Sequence, residues 1–203
     1  LSDAKLAEFA RAFGAELIVS GKGPVGSMRR AATQAGCLTI ILEAGEVWKV
    51  EPAVAEYAIR GIRNCLRHLG MVAGKPSRPA YRVETDATKW IRAQHGGFLR
   101  FHVAPGDIVA MEQPIATNTS LIGDEQNVIL APREGIVLGM TTLPSVSPGD
   151  PVCHLAFARR GKLKEIEQVV EGLDEDSLHE RMRGDLATNL VVTKREDDEK
   201  ERA

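Results

Sequence analysis

Glu43 closes the apolar run Leu38-Thr39-Ile40-Ile41-Leu42 and is followed by Ala44 and Gly45. A carboxylate at the carboxyl end of a buried parallel strand stands where α/β sheets keep their ligand crevice. There it can take a proton from an attacking water and pass it to a leaving amine. It can equally cap a helix or pair with a nearby Lys or Arg, and its position alone leaves both readings open. Upstream, Arg29 and Arg30 follow a loop built from Gly21, Gly23, Pro24 and Gly26. A planar guanidinium grips a carboxylate through two parallel hydrogen bonds, so either arginine is a candidate substrate holder. The plainer role for both is a solvated helix face.

These residues need elements to position them. The first 74 residues alternate helix and strand. Ser2 is placed to cap a helix running to about Phe13, with Leu6, Phe9, Ala10 and Phe13 on one stripe. Gly14 ends it, and residues 15–19 form a short apolar strand. A second helix is predicted from Ser27 to Ala35. Residues 38–42 read as a parallel strand buried on both faces. A long helix follows from about Glu51 to Leu69, with Pro52 in its first turn and Gly70 just past its end. Strands joined by helices imply a parallel α/β sheet. Two strands cannot make a complete sheet, so we expect its remainder to precede Leu1.

Residues 71–79 carry two prolines and no periodicity, which marks a linker. Residues 80–158 then read as a small all-β module, with strands at 81–84, 89–92, 97–103, 114–118, 127–130, 136–141 and 152–156. Within it Val103-Ala-Pro-Gly-Asp-Ile-Val109 is answered by Val146-Ser-Pro-Gly-Asp-Pro-Val152. Each Pro-Gly-Asp predicts a tight turn, and the pair suggests a quasi-symmetric folded sheet. Residues 161–203 form a charged helical tail whose last stretch, from Lys194 to Arg202, is predicted to be frayed or disordered.

Three separated blocks resemble the succinylglutamate desuccinylase/aspartoacylase family. The first runs from Gly23 to Gly45: a Gly-rich loop, Ser-Met-Arg-Arg, a helix of small residues, then a strand ending Glu-x-Gly. The second is the helix begun by Glu51-Pro-Ala-Val. The third is Ile129-Leu-Ala-Pro-Arg-Glu-Gly-Ile-Val-Leu-Gly139 with the turn at Asp150. The resemblance implies the C-terminal portion of such an enzyme: part of an α/β zinc-carboxypeptidase-like domain, then a small barrel-sandwich-like β domain and the helical tail. It also implies hydrolysis of the amide bond of an N-acyl amino acid or related small molecule, with Glu43 promoting attack by zinc-bound water. Arg29 or Arg30 matches an arginine near the family's substrate pocket. The family binds zinc through His-x-x-Glu and a distant His. None of the five histidines here is followed by Glu at that spacing. A catalytic zinc needs three protein ligands held together. We therefore assign no metal ligand in this chain, and expect zinc only in a parent protein with a further segment, without which this part is inactive.

The formal net charge of -2 and interleaved acids and bases argue against nucleic acid as a partner. No apolar run reaches membrane-spanning length. Cys37, Cys65 and Cys153 form an odd set without Cys-x-x-Cys spacing, and read as reduced core residues of a cytoplasmic protein. The β module also resembles biotinyl and lipoyl carriers, but residues 117–127 contain no lysine on which a carrier's cofactor could be attached. That leaves a scaffold able to shape a substrate entrance or support a homo-oligomer. The alternative to an enzyme part is a non-catalytic binding or assembly module.

Overall fold

Apolar residues spaced three and four apart specify helices that bury one stripe, and the computed structural model, which describes residues 4–158, 162–174 and 177–187, shows where those stripes pack. The architecture is α/β, and the described residues fall into two compact units: those up to Asp86 with Gln168–Leu173, and the remainder from Ala87 onward.

In the first unit, helix α1 (Ala4–Phe13) buries Ala7, Ala10 and Phe13. Gly14 ends it at φ 88°, a left-handed conformation that costs glycine little. Strand β1 (Leu17–Val19) and helix α2 (Met28–Gln34) follow, the latter capped by Ser27, whose side chain accepts from Arg30 N–H. Helix α3 (Pro52–His68) starts on its proline and buries Ala53, Tyr57, Gly61 and Asn64 along one stripe. Gly61 is where α1 and α3 touch: a Cβ on it would lie 2.1 Å from Phe13 Cζ. Asn64, fully buried, donates to Phe13 O at 3.1 Å and Ser77 Oγ at 3.0 Å, and accepts from Ser77 N–H at 3.0 Å. The expected linker is thus anchored on α3 by side-chain hydrogen bonds.

Two strand predictions need correction. The strand expected at 81–84 within the β module is β2 (Val83–Thr85), and it pairs in parallel with β1, Leu17 opposite Val83. Arg11 fastens this pair to α1 through two 2.7 Å hydrogen bonds to Glu84. Residues 38–42 are not a buried strand. They form no regular element, and Leu38, Ile41 and Leu42 are 38%, 59% and 39% exposed. A strand buried on both faces requires neighbours on both sides, and no described strand pairs with this segment.

The second unit holds two four-stranded sheets. One orders strands β3 (Thr88–Arg92), β10 (Pro151–Ala156), β8 (Gly135–Met140) and β5 (Ile108–Val109). The other orders β7 (Glu125–Leu130), β6 (Pro114–Thr119), β4 (Gly97–Phe101) and β9 (Ser145–Val146). All these pairs are antiparallel. Leu99, Phe101 and Ile115 from one sheet share a single core with Val109, Val137 and Leu155 from the other. The two-residue strands β5 and β9 escaped prediction because two residues show no alternation. Both Pro-Gly-Asp segments are tight turns. Asp107 N–H donates to Ala104 O at 3.1 Å and Asp150 N–H to Ser147 O at 3.0 Å, with the glycines at φ 94° and 91°. Helices α4 (Lys162–Glu171) and α5 (Leu178–Ala187) follow. The frayed end predicted at 194–202 lies outside the described residues.

Replacing Gly61 tests the α1–α3 contact. Alanine normally favours a helix interior by about 1 kcal/mol over glycine. Here its methyl must displace the Phe13 ring, so Gly61→Ala should instead lower stability by roughly 1–3 kcal/mol, read as a lower urea midpoint at unchanged slope.

Candidate functional site

Glu43 emerges from the extended apolar segment onto an exposed surface, and makes no hydrogen bond or ion pair with a described residue. The chain turns sharply behind it. Gly45 sits at φ 84°, and a Cβ there would meet Glu51 Oε2 at 2.8 Å and Val54 Cγ1 at 3.4 Å. The Glu-x-Gly spacing therefore has a local cause, since only glycine fits both the dihedral and the space.

The residue that glycine meets was not singled out from the sequence. Glu51 is the N-cap residue of α3 and is only 5% exposed. Its side chain makes no capping bond to its own helix. Instead Oε2 accepts from Glu46 N–H at 3.1 Å, while Lys49 Nζ lies 2.9 Å from Oε1. The positive end of α3 further favours a carboxylate there. A glutamate before Pro-Ala-Val looks like an ordinary exposed first-turn acid; only its oddness as a cap, where Ser, Thr, Asp or Asn is preferred, hinted otherwise.

Arg29 and Arg30 converge on the glycine loop. Arg29 Nη1 donates to Gly21 O at 3.0 Å and Arg30 Nη1 to Gly23 O at 3.4 Å. The Arg29 guanidinium lies against Gly23, whose absent Cβ would be 2.7 Å from Nη2. Both side chains are half-buried, and neither is bonded to Glu43. The structure brings the two arginines together on one loop and does not join them to the carboxylate. Each spends one donor on a carbonyl of the glycine loop.

Among the described residues no group of three or more His, Cys, Asp or Glu side chains could hold a metal ion. Two of the five histidines are engaged separately: His102 Nε2 lies 2.8 Å from Thr117 Oγ1, and His154 stacks on Trp90 at 4.5 Å. The cysteines correct the expectation of three core thiols. Cys153 is buried and Cys65 half-buried, but Cys37 is exposed. Burial raises the Cys65 thiol and pushes Cys153 up to about 12, so neither is a nucleophile near neutral pH. Burial beside Glu16 likewise raises the Tyr57 phenol, whose hydroxyl donates to Glu16 Oε2 at 2.7 Å. An open groove of about 600 Å³ in the second unit is lined by Gly97, Phe98, Leu121, Ile122 and Val146, and by none of the candidate residues. At the β6–β7 turn Leu121 and Ile122 are 85% and 86% exposed, and no lysine stands there.

No protein-family model matches the chain. Among curated proteins it is 29% identical over 132 residues to the N-alpha-acetyl-L-2,4-diaminobutyric acid deacetylase of Halomonas elongata, covering 62% of this chain and 39% of that protein. Among solved structures it superposes on a succinylglutamate desuccinylase/aspartoacylase from Rhodobacter sphaeroides with TM-score 0.68 and 22% identity, over 79% of this chain and 52% of the other. The apo ectoine utilization protein EutE of Ruegeria pomeroyi gives TM-score 0.68 and 21% identity, over 76% and 51%. The resemblance carried by the three sequence blocks is thus matched by the fold. The chain spans about half the length of these structures and less of the curated relative.

The differing burial of the thiols is directly checkable. Cys37 should react with a thiol reagent at the rate of an unfolded chain, and Cys153 at least about 10³-fold more slowly, through global unfolding. Equal rates measured by mass spectrometry would contradict the packing of β10.

Proposed function

We propose that the complete protein to which this chain contributes is a hydrolase cleaving the amide bond of an N-acyl amino acid or a related small molecule, with Glu43 as general base. The observation that carries this reading is a carboxylate with no partner among the described residues, standing on a turn that is itself locked by a buried acid. The match to a deacetylase of an N-acetylated amino acid supports the substrate class.

In this reading Glu43 accepts a proton from water as the water oxygen bonds to the amide carbon. The tetrahedral species collapses with cleavage of the carbon–nitrogen bond, and the proton held by Glu43 goes to the departing amine. Arg29 or Arg30 holds the carboxylate of the amino acid through donors not used on the glycine loop. Zinc, when bound by such an enzyme, supplies Lewis acidity. The described residues of this chain offer no ligand set for it, so its ligands would come from sequence beyond them, and we expect this chain alone to be inactive. We read the paired sheets of the second unit as a barrel-sandwich scaffold that shapes the substrate entrance or supports a homo-oligomer. Reduced cysteines support a cytoplasmic protein.

Glu43→Gln in the complete protein keeps size and polarity but removes the base. Turnover of an N-acetyl amino acid should fall by roughly 10²-fold or more, with KM little changed. Undiminished kcat would remove Glu43 from the mechanism. A complete protein that binds no zinc and hydrolyses no N-acyl amino acid would leave the assembly-module reading in its place.

A further inference from the structure

We infer that Glu51 is a positioning residue for Glu43, setting the direction in which the proposed base leaves the chain. The inference rests on the hydrolase reading and extends it to a side chain that touches no substrate.

Three observations converge on this role. Glu51 is a charged residue only 5% exposed, and burying a carboxylate is costly unless its oxygens are satisfied. Its contacts lie on the segment just behind Glu43 and not on the helix it begins: Oε2 accepts Glu46 N–H at 3.1 Å, while Oε1 receives no hydrogen bond and is balanced only by the charge of Lys49, whose Nζ lies 2.9 Å away. The same Oε2 occupies the space where a side chain on Gly45 would begin, 2.8 Å from an ideal Cβ. Residues 44–46 are therefore clamped between a glycine dihedral and a buried acceptor. Since residues 38–42 pair with no described strand, this clamp is the fixed end from which the Glu43 backbone is held. Glu51 is itself fixed, because its carbonyl accepts Ala55 N–H at 3.0 Å in the first turn of α3.

A role confined to stability predicts something different from a positioning role, and substitutions in the complete protein separate them. Glu51→Ala removes the acceptor. It should lower kcat by at least about 10-fold with KM within about twofold, as expected when a reacting group is misplaced by a fraction of an ångström. Glu51→Gln retains an oxygen for Glu46 N–H and should recover most of kcat. Gly45→Ala pushes the carboxylate away from the other side and should reproduce the loss, which keeps the test decisive even where Glu51→Ala fails to fold. In the 203-residue chain itself, exchange of the Glu46 amide hydrogen should accelerate in Glu51→Ala and not in Glu51→Gln. Unchanged kcat in Glu51→Ala, beside a Glu43→Gln that is inactive, would overturn the positioning role and leave the hydrolase reading standing. Equal losses in Glu51→Ala and Glu51→Gln would also overturn it, by showing that charge and not the acceptor matters. A fully active Glu43→Gln would sink both.

Discussion

One buried amide, that of Asn64, holds the first unit in register. A helix leaves its last carbonyls without intrahelical donors, and burying one unpaired costs as much as losing a hydrogen bond. Asn64 meets that need for α1 by donating to Phe13 O, and uses its remaining capacity on both the backbone and hydroxyl of Ser77. Three pieces of chain are therefore fixed by one side chain: the end of α1, the second half of α3, and the segment that delivers β2 beside β1. In that register the Phe13 ring packs directly on Gly61, where a Cβ would lie 2.1 Å from Cζ. A rigid α3 in turn fixes its own first turn, where Glu51 reaches back to the Gly45 turn.

Two carboxylates in this unit illustrate different solutions to burial. Glu16 stays partly exposed, receives the Tyr57 hydroxyl at 2.7 Å and faces Arg60 at 3.6 Å, so solvent shares its charge. Glu51 has almost no solvent and relies on a backbone N–H, one ammonium and the α3 N-terminus. A charge so enclosed is sensitive to loss of any one partner, because the remaining contacts cannot compensate the desolvation. That sensitivity is what couples the geometry of the turn to this one residue. Glu43 shows the opposite condition: it is exposed and makes no hydrogen bond or ion pair among the described residues.

The helices were legible because their signals are local. Pro52 and Gly70 bracket α3, Ser27 opens α2, and Gly14 ends α1, each through backbone chemistry that needs no distant partner. Of the candidate site, the glycine loop was legible for the same reason, whereas Glu43 was expected at the end of a buried strand and stands instead before a turn at Gly45. What failed depended on contacts the sequence does not number. Residues 38–42 have every apolar feature of a central strand, yet strand identity belongs to a pair, and no described neighbour exists. The parallel partner of β1 comes from residues over sixty positions away, past the apparent linker. Asn64 and Glu51 were invisible because polar residues on a helix are read as solvent-facing, and their burial is set by packing. Cys37 erred in the other direction, since an apolar context lent it a burial that its segment does not have.

The β unit separates a turn's motif from its geometry. In both Pro-Gly-Asp turns the aspartate closes the loop twice, through its N–H and through Oδ2, which accepts from Ala104 N–H and Ser147 N–H, each at 2.8 Å. A third turn does the same without the motif. Across residues 110–113, Gln113 N–H donates to Ala110 O at 3.3 Å and Gln113 Oε1 accepts from Ala110 N–H at 2.9 Å. The position held by glycine elsewhere is here Glu112, at φ 65°. A non-glycine residue in that region costs about 1 kcal/mol or more and persists only where the surroundings impose it. Here they do: Glu112 N–H donates to Ala131 O at 2.8 Å and Ala131 N–H to Gln113 O at 2.9 Å, so the turn is stitched to the chain beyond β7. The geometry is thus imposed by the sheets that the turn joins. Proline and glycine make it cheaper where they occur, which is why two copies could be read directly and the third could not.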